Sequence, residues 1–174
     1  MTLPAWTQKS AHFTDDYHRI WLKRKVDLFD SFPVGFILHN PSTASEELED
    51  PTSRKTNEFT RRWGGSEKIM VNAVTGVATE AQDLVRMKDP IGPLADEAII
   101  AAAEYCLQRD GFLVACWGAP KGNARTRLLM EQRFQHILSL GLPLRYLRLT
   151  GNGYPEHPLY VPYSVEPTPW TYGM

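Results

Sequence analysis

The feature that most constrains this chain is a set of four short apolar runs separated by segments of helical period. The runs are Val34–Leu38, Lys68–Val74, Phe112–Trp117 and Leu144–Leu149. Each is brief and bounded by Gly, Pro, Asn or Asp, the pattern of a buried strand. Between them, Thr52–Trp63 puts Phe59 and Trp63 on one helical face, offers Thr52 or Ser53 as a cap and runs into Gly64-Gly65. Leu94–Gln108 repeats apolar residues at Ala95, Ala98, Ile99, Ala102, Tyr105 and Cys106, with Pro93 near its first position. Gly122–Leu140 gathers Met130, Phe134, Ile137 and Leu138 on one side and sends Arg125, Arg127 and Arg133 toward solvent. Strands alternating with helices predict one α/β domain over residues 1–174, a three-layer α/β/α arrangement with a mostly parallel central sheet. Ahead of it, Thr14–Val26 reads as a strand and one arm of a hairpin. Its basic residues suit a solvated edge.

Charge and cysteines narrow the function. The net charge of -1 provides no field that holds nucleic acid non-specifically. DNA or RNA affinity is therefore expected to be weak, salt-dependent and carried by Arg19, Lys23, Arg61 and Arg62. Cys106 and Cys116 fall in a helix and a strand, outside any Cys/His cluster, and read as buried free thiols. The lack of a close Cys/His cluster means that no metal is expected; no phosphate-cradling Gly-rich loop of P-loop or dinucleotide type and no nucleophile-elbow serine occurs, and no cofactor is expected. No signal peptide or membrane-spanning run is visible; no membrane partner is expected, and a cytoplasmic location follows by default.

Four polar clusters fall at the C-terminal ends of the predicted strands. They are Asn40-Pro41-Ser42-Thr43, the stretch from Asn72 to Thr79, Trp117-Gly118, and Asn152 to His157. In a parallel sheet these ends share one edge, where ligands bind. Asn40, Asn72 and His157 are then expected to face one pocket lined by Ser42, Thr43 and Asn152, with Trp117 or Tyr154 as an apolar wall. Asn72 interrupts an apolar run and needs partners if buried. His157 reads as a surface loop residue or as a group titrating near neutrality that donates to a leaving group. Asp50 and Asp89 each precede proline. Turn initiation explains both, and a water-activating carboxylate is the alternative.

The chain resembles the family catalogued as domain of unknown function 1643. The matching residues are Tyr17-His18-Arg19, Leu38-His39-Asn40-Pro41-Ser42-Thr43-Ala44, Asp50-Pro51-Thr52, Trp63-Gly64, Val71-Asn72, Ala78-Thr79, Asp89-Pro90-Ile91-Gly92-Pro93, Ala115-Cys116-Trp117-Gly118 and Gly153-Tyr154-Pro155-Glu156-His157-Pro158-Leu159-Tyr160. His39 stands where that family more often has Leu. More distantly, Asn-Pro after the first strand, Trp-Gly after an apolar strand and His-Pro in a late loop resemble the uracil-DNA glycosylase superfamily. That resemblance implies a glycosylase-like fold and an N-glycosidic hydrolase acting on a nucleotide or nucleobase. In it Asn40 positions water, Asn72 selects the base and His157 stabilises the departing base anion. The alternative is a non-catalytic domain that holds a nucleotide or a nucleic-acid end in the same cleft.

Overall fold

The computed structural model of the protein describes residues 10–15, 18–41, 50–77 and 86–172. In chain order these form β1 (Ser10–Asp15), β2 (His18–Lys25), β3 (Pro33–Leu38), α1 (Pro51–Arg62), β4 (Glu67–Asn72), α2 (Ala95–Leu107), β5 (Phe112–Ala115), α3 (Ala124–Ser139), β6 (Leu144–Tyr146) and β7 (Thr168–Pro169). The strands build one sheet in the order β1-β2-β4-β3-β5-β6-β7.

The four apolar runs lie side by side as β4-β3-β5-β6 and pair in parallel. The sheet as a whole is nevertheless mixed, which corrects the expectation of a mostly parallel one. The pairs β1–β2, β2–β4 and β6–β7 are antiparallel. A short connection joins β1 to β2, and parallel strands need a longer crossover than that. Nor is β2 a solvated edge. It lies between β1 and β4, and Arg19, Lys23 and Arg24 are buried. Lys23 is neutralised within the fold, 3.0 Å from Glu67 and 3.1 Å from the Tyr105 hydroxyl.

Side-chain alternation divides the core. Phe36, Leu38, Met70, Val114 and Cys116 pack with Phe59 of α1. Ile37, Ile69, Val71, Leu113 and Ala115 pack with Ala98, Ile99 and Ala102 of α2 and with Met130, Phe134 and Ile137 of α3. Helices therefore cover both faces, and β3 is buried at every position, which is why the central runs read as continuous apolar stretches. Cys106 and Cys116 are buried free thiols. Burial pushes both thiol pKa values up, that of Cys106 to about 12. Among the described residues no helix is long and apolar enough to cross a membrane.

Two helix features differ from expectation. Asp50 caps α1, accepting from the Ser53 N–H at 2.6 Å, because Pro51 occupies the first helical position and needs no N–H partner. Ser53, expected as a cap, is instead buried against Lys68, whose Nζ lies 2.7 Å from the Ser53 carbonyl. In α3, Arg133 is buried rather than turned to solvent. It stands three residues after Met130 and next to Phe134, on the inward stripe. Its Nε donates to the Ala73 carbonyl, and its Nη1 pairs with Asp96 of α2 at 2.5 Å. The other Asp96 oxygen lies 2.7 Å from His136.

The turn at residues 89–92 fastens the segment before α2 to the end of β4. The Thr75 N–H donates to the Ile91 carbonyl at 2.8 Å, and the Gly92 N–H donates to the Asp89 carboxylate at 3.0 Å. Asp89 thus takes the turn role. Gly92 has φ +79°, and a Cβ there would stand 1.9 Å from Thr75 Oγ1 and 2.6 Å from a His18 ring carbon. Gly92→Ala therefore combines left-handed strain with overpacking, and a loss of about 2–3 kcal/mol is expected. A urea midpoint equal to that of the parent, at unchanged slope, would contradict this contact.

Candidate functional site

Strand β3 lies between β4 and β5, and the chain leaves these neighbours in opposite directions. The next element after β3 is α1, on one face; the next after β5 is α3, on the other. Loops that diverge from adjacent parallel strands open a crevice at the C-terminal edge, the position where open sheets bind ligands. The loop after β3 carries His39 and Asn40, and the loop after β5 carries Cys116, Trp117 and Gly118. Backbone bonds from Ala73 to Leu38, from Val74 to His39 and from Cys116 to Ile37 continue the ladders into these loops. The crevice base is therefore as fixed as the sheet.

Asn40 and His39 hold one another. His39 Nδ1 lies 3.0 Å from Asn40 Oδ1, and Asn40 Nδ2 donates to the Pro41 carbonyl at 2.9 Å. An amide oxygen only accepts, so His39 Nδ1 is the donor and Nε2 is left unprotonated. Nε2 is buried and has no hydrogen-bond partner. Burial, and secondarily the charge of Lys121, hold the His39 pKa below the usual histidine value against the raising effect of the Asn40 bond. The His39 ring meets Phe134 edge-on at 5.8 Å.

His157 arrives from a loop fastened to the crevice. The Gly118 N–H donates to the Pro155 carbonyl at 2.8 Å, and Arg148 bridges the loop through Glu156 and the Tyr160 carbonyl. The Leu159 N–H donates to His157 Nδ1 at 3.4 Å, which makes Nδ1 an acceptor and places the ring proton on Nε2. Burial, Lys121 and His39 push the His157 pKa down to about 4, against an opposing pull from Asp50. The expectation of a group titrating near neutrality is thus corrected. At pH 7 His157 is a neutral N–H donor. The charges of Lys121, His39 and Asp50 all bear on His157. Asp50 also faces Arg19, whose pKa burial lowers to about 10, still cationic at neutral pH.

The remaining predicted residues divide. Asn72 pairs in register with Leu38 at the edge of the parallel core, and alternation turns its side chain toward α1, the side of Leu38 and Met70. It is 1% exposed, and neither Nδ2 nor Oδ1 has a hydrogen-bond partner. Trp117 lies on the other face, stacked on Phe134 at 5.0 Å, with its indole N–H also buried and unpartnered. Tyr154 touches the same Phe134 at 6.3 Å. Asn152 is exposed at the turn closed by Thr150 and Tyr154 and makes no described contact with the crevice. Ser42, Thr43, Ala78 and Thr79 lie outside the described residues.

Sequence reasoning left His39, Lys121 and Phe134 out of the site and held Asp50 only as an alternative to its turn role. A signal existed for His39, because successive strand residues face opposite sides and the residue before Asn40 had to face α3. The four cations named for nucleic acid do not form one surface. Arg19 and Lys23 are buried, and Arg61 and Arg62 pair with Glu58 at the far end of α1.

Comparison with curated proteins and with solved structures finds no match. A family described as Protein of unknown function (DUF1643) matches residues 19–159, a span that holds both crevice loops and the His157 loop, and the chain belongs to that family.

Proposed function

We propose that the crevice takes a nucleobase and that the protein is a nucleotide- or nucleobase-acting hydrolase of glycosylase type, cleaving an N-glycosidic bond. The observation that carries this reading is the Asn72 amide, buried with donor and acceptor both unmet. Such a group costs roughly 1–3 kcal/mol for each unmet function, unless a ligand supplies the missing edge. Nucleobase edges present a donor beside an acceptor, and asparagine reads them with both amide atoms. The parallel core with helices on both faces and polar groups at its C-terminal edge supports the glycosylase-like, three-layer assignment.

In this reaction a water oxygen bonds to the anomeric carbon as the carbon–nitrogen bond breaks. The electron pair goes to the base, and the water proton leaves to a carboxylate or to the base. Asn40 orients the water. His157 donates through Nε2–H to the charge developing on the base, a role that suits a neutral donor in a site withdrawn from solvent. Asp50, whose charge reaches His157, takes the water proton. A second reading is a non-catalytic domain holding a nucleotide or a nucleic-acid end. It is favoured by the hydrogen bonds that already engage Asn40 and Asp50 within the fold.

Nucleobase release and thermal melts on two variants test the assignment. His157→Ala is expected to melt close to the parent and to release base about ten- to a thousand-fold more slowly. Asn40→Ala is expected to lose activity and also about 1 kcal/mol of stability, because it removes the bonds to His39 and Pro41. Release by His157→Ala at the parental rate sinks the hydrolase; nucleotide binding without any release gives the second reading.

A further inference from the structure

On the α3 side of the crevice, His39 Nε2 and Trp117 Nε1 are both buried without a partner, and the proposed reaction uses neither atom. They are complementary in kind. With its proton on Nδ1, His39 presents a bare lone pair at Nε2, whereas an indole N–H can only donate. Both rings pack on one residue, Phe134, which is 2% exposed. The acceptor is also preorganised. Asn40 fixes the His39 ring, and the Pro41 carbonyl fixes Asn40. Protonation does not relieve Nε2 at neutral pH, since burial and Lys121 disfavour the imidazolium. An acceptor and a donor fixed on one aromatic support fit a planar ring that carries a donor beside an acceptor.

We infer that His39 determines ligand specificity by accepting a hydrogen bond from the exocyclic amino group of a nucleobase, while the Trp117 indole N–H donates to the adjacent ring nitrogen. Adenine and cytosine present that pair; hypoxanthine and uracil present it with donor and acceptor exchanged. Asn72, on the opposite face of the sheet, meets a different edge or substituent of the ligand. This inference rests on the nucleobase reading of the crevice.

Titration of the full chain with the free bases tests it without turnover. The parent is expected to bind adenine over hypoxanthine, and cytosine over uracil, by about ten-fold or more, the range for a hydrogen-bonding site offered the wrong edge. His39→Leu is expected to bring both ratios to near one. His39→Gln, which keeps an acceptor, retains part of the preference and also serves if the leucine variant does not fold. If a buried water is the sole occupant of the two atoms, His39→Leu leaves the ratios unchanged, and that result overturns the inference. Equal binding of both members of each pair by the parent overturns this inference alone. Binding of no base at all overturns the nucleobase reading and this inference with it.

Discussion

The Asn72→Leu protein is expected to melt above the parent and to have lost most of its ligand affinity. Asn72 is 1% exposed, and neither amide atom has a hydrogen-bond partner. Its neighbours on that face, Leu38 and Met70, are apolar and buried. Replacing an orphaned buried polar group by an apolar one of similar size removes a desolvation cost and leaves no partner stranded. A gain of about 2 kcal/mol follows, or roughly 4–8 °C in Tm for a chain of this length. The same change removes a donor and an acceptor from the ligand, and affinity should fall by about ten- to a hundred-fold. Opposite signs for stability and binding mark a residue kept for function. Melts of the free proteins and titration with a nucleotide check both halves. A lower midpoint for the variant would mean that the amide is satisfied in solution, and unchanged affinity would remove Asn72 from the site.

Arg133→Met is expected to be the most damaging of the substitutions considered. Arg133 joins three elements: its Nε bonds the Ala73 carbonyl after β4, and its Nη1 pairs with Asp96 on α2 from its own position on α3. Its side chain is 4% exposed. Methionine fills the space but removes two charged hydrogen bonds, to the Ala73 carbonyl and to Asp96, which is 37% exposed and keeps His136; each such bond is worth about 1.5–3 kcal/mol. The pair also carries a pH signature. Burial raises the Asp96 pKa, but hydrogen bonds from His136 and Arg133 overcome this and leave it below the ordinary carboxylate value. A depressed carboxylate pKa supplies stability that is complete above the unfolded value of about 4 and fades as pH falls through the folded value. The urea midpoint of the variant should therefore lie well below the parent's at pH 7, with the gap narrowing below pH 4. A gap that stays constant across that range would assign the loss to packing alone.

What the sequence disclosed, and what it withheld, follows from the range over which each signal acts. The apolar runs are local signals, and β3, β4, β5 and β6 form on them, although β5 ends at Ala115 and β6 covers only Leu144–Tyr146 of the run to Leu149. The direction of β2 was not local: its alternation fits either edge or interior, and only pairing with β4 decides it. Arg133 shows residue type and helical phase in conflict: a cation points to solvent, but its position on the stripe from Met130 to Ile137 requires burial. For the site, strand ends located the edge but not the face. Whether Asn72 and Trp117 share a face depends on the registers Leu38↔Asn72 and Ile37↔Ala115, which no single strand contains. The lowered pKa of His157 was equally hidden, because its causes, burial, Lys121 and His39, come from three separate segments.

The fastening of the late loop has a consequence for how the molecule is made. Gly118 N–H holds Pro155, Val161 is buried with the α1-side core, and the Trp170 N–H reaches back to the Leu144 carbonyl. On a ribosome the parallel core can begin to assemble once β5 has emerged, since β4, β3 and α1 precede it. The imidazole of His157 cannot join His39 until the polypeptide beyond β6 has been released from the exit tunnel. Domains form their earlier segments first at about 5–20 residues per second. A nascent chain stalled before this loop therefore carries the parallel core with His39 and Asn40 already at its edge but without His157, so the crevice is completed later than the sheet that supports it.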